Sequence, residues 1–331
     1  MTYRILSLDG GNGEKAGVFL STLERRTEAT GYSFVRDVDL FVGTGSGAVN
    51  ALLLAWFDDP IRAFEAMLRF DDEAREGQTP WSMAGTVLGS NAALSAKSLV
   101  AFCDEVFGAG TTLADIKRPV LVSTVQLDDE LDIDNRRWKP RTFSNAAGDV
   151  GRVELIVDVV LRTMAMPLQY PAYQGGAGTG PVYVDGAVVA NNPAMLALTA
   201  ALADKKKLPD ISVLSVGTPR NLAGTARHLA PALADGMANW GYRQWMLDPF
   251  NPLVLIDLFL QAGAQAVSDQ CEQLLGDRFL RVDPPVFVGP AWDAPDGNVA
   301  VDLTMEWLEK NGWKPAKPPA AKAPAAAPAA T

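Results

Sequence analysis

The stretch that most constrains the fold is DLFVGTGSGAVNALLLA, residues 39–55. Leu40-Phe41-Val42 is a short apolar run with strand character. It enters a bend made only of Gly43, Thr44, Gly45, Ser46 and Gly47, and leaves as an apolar, helix-like segment. Small residues at such a bend let strand and helix meet closely. They also place the bend at the C-terminal end of a strand, where open α/β sheets bind and react. A chain that begins this way is committed to a sheet with helices packed on it.

The rest of the pattern agrees. Arg4–Leu8 reads as a strand, 16–27 as a helix, Val38–Val42 as a second strand and Ser46–Phe57 as a helix, which is a βαβα opening. Further helices are expected over 60–76, 98–107, 153–165, 193–203, 253–275 and 301–310. Further strands are expected over 119–126, 141–143, 181–185, 211–216 and 278–282. The fold class is therefore α/β. The 331 residues, 48% of them apolar, suffice for one large domain, expected over 1–313. From Lys314 the chain is a Pro/Ala-rich run that cannot repay its ordering entropy, so 314–331 is expected to be a disordered tail.

Charge and cysteine usage exclude several classes. A formal net charge of −10 argues against a nucleic-acid partner and against electrostatic docking on an anionic membrane. Cys103 and Cys271 lie far apart with no CxxC partner and read as buried thiols. With a single histidine, His228, a His-rich metal centre is not expected; no metal or cofactor is called for. No signal-like start is visible, and no run approaches the ~18 apolar residues of a membrane span, so the cytoplasm is the expected compartment.

Three motifs carry chemistry. In SLDGGNGEKAG, the residues Gly10, Gly11, Asn12 and Gly13 follow a strand and can converge backbone N–H groups on an anion at a helix N-terminus. The same residues fit a plain tight turn, and Gly11-x-Gly13-x-x-Ala16 fits a loose dinucleotide fingerprint. In GTGSGA, a hydrolase-type elbow would carry G-x-S-x-G, but Gly45 is the centre of the five residues and Ser46 comes one place later. Ser46 is either a displaced nucleophile or a helix cap. In VYVDGAVVANNP, Asp185 ends a strand beside Gly186, a position for a reacting carboxylate or for an Asx turn.

Taken in order and spacing, the three resemble the patatin-like phospholipase family, with further echoes in LRTMAMPLQYPAY, VLSVGTPR and DRFLRVDPP. The resemblance covers nearly the whole chain except the tail. It implies a three-layer α/β/α sandwich with a mainly parallel central sheet. It implies a lipid acyl hydrolase of phospholipase A or lysophospholipase type, working by a Ser–Asp dyad with an oxyanion hole. Ser46 would be the nucleophile, Asp185 the base, Gly10, Gly11, Asn12 and Gly13 the oxyanion loop, and Gly43, Gly45 and Gly47 the elbow. The partner would be a lipid or acyl ester, with transient contact to a membrane surface an open alternative.

Two departures qualify this. The loop carries one extra residue near Asn12, with Lys15-Ala16 where the family has Arg/Lys-Gly, and a gapless match puts Gly45 on the family's nucleophilic serine. One residue of slip turns a helical side chain by about 100°. A patatin fold that binds lipid or acyl groups without turning them over is the alternative. A Ser46–Asp185–His228 triad and a nucleotide-binding module are weaker rivals. Residues 245–263 could line an acyl pocket or meet a membrane, although a buried helix is the plainer expectation, and 77–95 reads as a lid.

Overall fold

Strands that read as continuous apolar runs in sequence are buried on both faces in the folded chain, as a parallel sheet requires. The computed structural model describes residues 2–11, 13–74, 92–128, 137–175, 180–217, 241–246, 254–284 and 295–313. In chain order the elements are β1 (Tyr3–Leu8), α1 (Gly13–Ala29), α2 (Phe34–Asp37), β2 (Leu40–Thr44), α3 (Ser46–Trp56), α4 (Pro60–Ala74) and α5 (Lys97–Val106). They continue with β3 (Val120–Asp128), β4 (Lys139–Ser144), α6 (Ile156–Thr163), β5 (Tyr173–Gln174), β6 (Val182–Asp185), α7 (Ala187–Ala190) and α8 (Ala194–Ala203). The last are β7 (Ile211–Val216), α9 (Tyr242–Met246), α10 (Val254–Leu275), β8 (Phe279–Val282) and α11 (Pro295–Lys310).

Among the described residues the strands form one eight-stranded sheet in the order β5-β6-β3-β2-β1-β7-β8, with β4 also paired to β3. The pairs β1–β2, β2–β3, β1–β7 and β7–β8 are parallel; β3–β4, β3–β6 and β5–β6 are antiparallel. Side chains alternate across it. Leu6 and Leu8 of β1, Phe41 of β2 and Leu214 and Val216 of β7 join the core under α1, α3, α4, α5 and α6. Their neighbours Ile5, Leu40, Val42 and Val213 join a second core under α8 and α10. This is the three-layer α/β/α sandwich with a mainly parallel sheet. Helix α3 sits at its centre, and every residue from Gly47 to Ala55 is buried, which explains its apolar character on all sides.

One junction in the sheet positions the site. Along one edge of β3, β2 pairs up to Thr44↔Ser123, and β6 takes over from Asp185↔Thr124. β4 pairs with the same residues of β3, Ser123↔Thr142 and Thr124↔Arg141, so it occupies the opposite edge. The C-terminal ends of β2 and β6 therefore meet head to head, and the bend after Thr44 faces Asp185.

Several expected boundaries move. β2 begins at Leu40 rather than Val38, because Val38 closes α2 through its N–H to the Val35 carbonyl. The helix expected over 153–165 is confined to Ile156–Thr163, after a 3-10 turn at Val150–Val153. α11 starts at Pro295, six residues before the expected Val301, since proline is well placed in a first helical turn. The expected lid up to Asn91, His228 and the tail from Lys314 lie outside the described residues.

Candidate functional site

Gly45 stands at the apex of the bend with φ 55° and ψ −129°, a conformation that L-residues seldom adopt and glycine takes without penalty. Its N–H donates to Thr163 Oγ1 at 2.9 Å, and Thr163 Oγ1 donates in turn to the Ser123 carbonyl at 2.8 Å. Its carbonyl accepts the N–H groups of Ala48 and Val49 and so starts α3. Thr44 Oγ1 donates to the Ala190 carbonyl at 2.9 Å, tying the bend to α7. The flanking glycines have steric reasons to be glycine. A β-carbon on Gly43 would run into the backbone of Gly47 and Ala48, and one on Gly47 into the carbonyls of Leu8 and Asp9.

Asp185 closes β6 and is only 5% exposed. Its Oδ1 accepts the Ala187 N–H at 2.8 Å. Burial pushes its carboxyl up from 3.8 to about 7, against a smaller downward pull from that hydrogen bond. At neutral pH it is thus shared between acid and base forms, the poise a proton-transfer group needs. A β-carbon on Gly45 would lie 2.9 Å from Asp185 Oδ2 and 3.4 Å from Oδ1. Position 45 is therefore the one whose side chain would meet the carboxylate. Ser46 is the half-buried first residue of α3, one helical step of about 100° further on.

The glycine loop lies against the same junction. A β-carbon on Gly10 would stand 2.8 Å from Asn191 Oδ1, 3.2 Å from the Ala187 β-carbon and 3.5 Å from the Thr44 carbonyl. The Gly10 N–H donates to the Asn191 carbonyl at 3.2 Å, so it is already engaged. Gly11 is exposed with φ 70°, and Gly13 opens α1, whose first N–H groups have no acceptor within the helix. Asn12 lies outside the described residues.

Behind the loop, Asp9 is fully buried and gripped by Arg281 of β8, with NH1–Oδ1 at 2.7 Å and NH2–Oδ2 at 2.6 Å. Arg281 also donates to Ser215 Oγ at 2.8 Å and to Asp283 Oδ1 at 2.8 Å. Burial raises the Asp9 carboxyl to about 6 even though Arg281 pulls it down, which leaves it ionised and paired at neutral pH. This fork fixes the start of the loop.

Of the residues singled out in sequence, Gly10, Gly43, Gly45, Gly47 and Asp185 converge on the junction. Thr163, Asn191 and Arg281 escaped notice as individuals. They sit inside LRTMAMPLQYPAY, DGAVVANNP and DRFLRVDPP, so only their segments carried a signal. Burial pushes the thiols of Cys103 and Cys271 up to about 12, so neither offers a thiolate. Among the described residues no three His, Cys, Asp or Glu side chains cluster as a metal site. Among them, too, no helix is long and apolar enough to cross a membrane.

Residues 6–198 match the family model described as patatin-like phospholipase. CotR of Bacillus subtilis is 29% identical over 331 residues, covering 95% of this chain and 96% of CotR. A cGAMP-activated phospholipase of Vibrio cholerae is 28% identical over 258 residues, covering 68% of this chain and 69% of that protein. Patatin-like protein 1 of Arabidopsis thaliana is 25% identical over 350 residues, covering 94% of this chain and 80% of that protein.

Proposed function

This chain belongs to the patatin-like phospholipase family, and from that premise we propose that its site binds the acyl group of a lipid without forming an acyl-enzyme at the elbow. One observation carries this reading: the apex residue in the elbow conformation is Gly45, whose β-carbon direction meets Asp185 Oδ2 at 2.9 Å. A Ser–Asp dyad needs a hydroxyl oxygen within about 2.6–3.2 Å of its base. Glycine at the apex supplies none. What remains suits binding. Asp185, with its carboxyl near 7, can donate a hydrogen bond to a carbonyl oxygen when protonated. Gly11 and the first turn of α1 offer backbone N–H groups and the positive end of a helix to an oxyanion or head group.

Ester hydrolysis through Ser46 is the second reading, favoured by the half-buried place of Ser46 at the N-terminus of α3, next to the apex. There Ser46 Oγ would attack the ester carbon as Asp185 takes its proton. The glycine loop would hold the oxyanion, the alcohol would leave, and water would release the acyl group. Either reading takes a lipid or acyl-ester ligand, in the cytoplasm, with no nucleic acid. The net charge of −10 and two buried thiols in no disulfide support the last two points.

Fluorophosphonate labelling followed by peptide mass spectrometry separates the two, alongside calorimetry with lysophosphatidylcholine. Saturable binding with no adduct on the folded protein is the expected result. An adduct on Ser46 that disappears in Ser46→Ala and weakens in Asp185→Ala would overturn it in favour of the dyad.

A further inference from the structure

Two adjacent asparagines follow α7, and their side chains are used in opposite ways. Asn192 is 1% exposed, and its carboxamide makes all four of its hydrogen bonds. Nδ2 donates to the Ala264 carbonyl at 3.3 Å and to Ser268 Oγ at 3.1 Å. Oδ1 accepts the Ala194 N–H at 3.0 Å and the Ser215 hydroxyl at 3.3 Å. Asn192 thus ties α8, α10 and β7 together. Asn191 is 8% exposed, and its carboxamide has no hydrogen-bond partner among the described residues. Its backbone carbonyl accepts the Gly10 N–H, but its side chain takes no part in holding the fold together. A buried amide without a partner is a cost to the empty protein, and a group that arrives from outside accounts for it.

The place of this amide says what it would meet. Ala187 and Asn191 are four residues apart across one helical turn, so they share a face. That face lies on the glycine loop. The point where a Gly10 β-carbon would stand is 2.8 Å from Asn191 Oδ1, 3.2 Å from the Ala187 β-carbon and 3.5 Å from the Thr44 carbonyl. Ala187 in turn gives its N–H to Asp185 Oδ1, and Thr44 leads into Gly45. The Asn191 carboxamide is therefore held where loop, elbow and Asp185 come together. The Gly10 N–H, the first that the loop would offer to an oxygen, is already engaged by Asn191 itself. The Asn191 side chain carries two N–H bonds to the same junction. A half-turn of the amide exchanges its oxygen and nitrogen within one volume, and no bond to the chain opposes that turn.

We propose that Asn191 is a ligand-binding residue of this site. Its Nδ2 donates a hydrogen bond to the carbonyl oxygen of the bound acyl group and so selects carbonyl-bearing lipids over their ether counterparts. The proposal rests on the acyl-binding reading above and adds to it the residue that reads the carbonyl. A buried donor discriminates strongly against an analogue that leaves it unpaired. A neutral donor also matches a neutral oxygen, whereas a lysine or arginine there would favour an anion. Asp185 supplies a second donor in its protonated form, so Asn191 carries part of the selection.

Calorimetry of the full chain with two non-hydrolysable analogues of lysophosphatidylcholine, each below its micelle concentration, tests this. One is a ketone, in which a methylene replaces the ester oxygen and the carbonyl is kept. The other is an ether, which keeps that oxygen and lacks the carbonyl. The wild type should bind the ketone more tightly. Asn191→Leu, similar in size and without polar atoms, should weaken binding of the ketone about three- to tenfold and leave the ether within about twofold. Because the carboxamide bonds to nothing in the described chain, the variant should also melt close to the wild type. Asn191→Ala reads the same ratio without the bulk of leucine. A ketone-to-ether ratio unchanged in both variants overturns the role of Asn191. So does failure of both variants to fold, which would make the carboxamide a structural group. Equal binding of the two analogues by the wild type leaves a lipid site in which Asn191 reads nothing. Failure of the wild type to bind either analogue instead sinks the acyl-binding reading, and this proposal with it.

Discussion

Asp185 Oδ2 lies 2.9 Å from the point where a β-carbon on Gly45 would stand. The relationship follows from the sheet. β2 and β6 share one edge of β3, the first ending opposite Ser123 and the second opposite Thr124. Thr163 holds the apex N–H from one side, and Thr44 ties the bend to α7 from the other. A buried carboxylate and the bend that faces it are thus both in place, and the side chain between them is a hydrogen.

Restoring a hydroxyl at that point is the direct test. Gly45→Ser should give a fluorophosphonate adduct at position 45 and raise hydrolysis of a short acyl ester about a hundredfold or more over the wild type. It should also cost stability, about 1–3 kcal/mol, because φ 55° is strained for serine and its β-carbon would crowd the carboxylate. An ester assay and a thermal melt read the two effects. A stable variant with no adduct would show that a side chain at position 45 is not activated by Asp185.

Asp185 should make stability depend on pH with a definite sign. Its folded value, about 7, is above the ordinary 3.8, so between those values the folded chain binds a proton that the unfolded chain has released. Its stabilising contribution is full below about pH 4 and is lost as pH rises to 7. Asp185→Asn keeps an oxygen to accept the Ala187 N–H and removes the titration. The variant should match the wild type near pH 4 and be more stable by a few kcal/mol at pH 8. Melts across that range check it, and parallel curves would contradict the assignment.

Much of this was legible because the relevant signals are local. Strands such as Ile211–Val216 and the helix after Ser46 announce themselves through apolar runs and bounding glycines. The gapless match already put Gly45 at the apex. Other features depend on partners far along the chain. β5 has two residues and exists only through its pairing with β6. That the Gly10 N–H is spent on Asn191 cannot be read near Gly10. Thr163 and Arg281 look like ordinary members of an apolar helix and a last strand until the fold brings Gly45 and Asp9 to them. The start of α10 misleads for a related reason. Its composition says core, but Val254–Leu260 are half-buried or exposed, and the buried stripe of the helix begins only at Ala264.

The Asp9–Arg281 fork should behave as a unit. Arg281→Met strands a buried carboxylate and should destabilise by roughly 3–5 kcal/mol. Adding Asp9→Asn removes that charge and should recover a good part of the loss. Urea unfolding of the four members of the cycle gives the coupling. Additive effects would mean that the pair contributes little and that Arg281 acts through Asp283 or Ser215 instead.

Thr163 should be needed for its hydroxyl rather than its shape. Thr163→Val keeps the volume but removes the acceptor of the buried Gly45 N–H and the hydroxyl that donates to the Ser123 carbonyl, so either group is stranded wherever Thr163 is its partner. The cost should be about 1–3 kcal/mol for each stranded group. Thr163→Ser retains the hydroxyl and should stay within about 1 kcal/mol of the wild type. Hydrogen exchange at the Gly45 amide distinguishes a local effect from a global one. In Thr163→Val its protection should fall further than that of the amides in β7, which sit two strands away from the clamp. A uniform loss across the sheet would instead make Thr163 a general packing residue, and the apex would then owe its conformation to Gly43 and Gly47 alone.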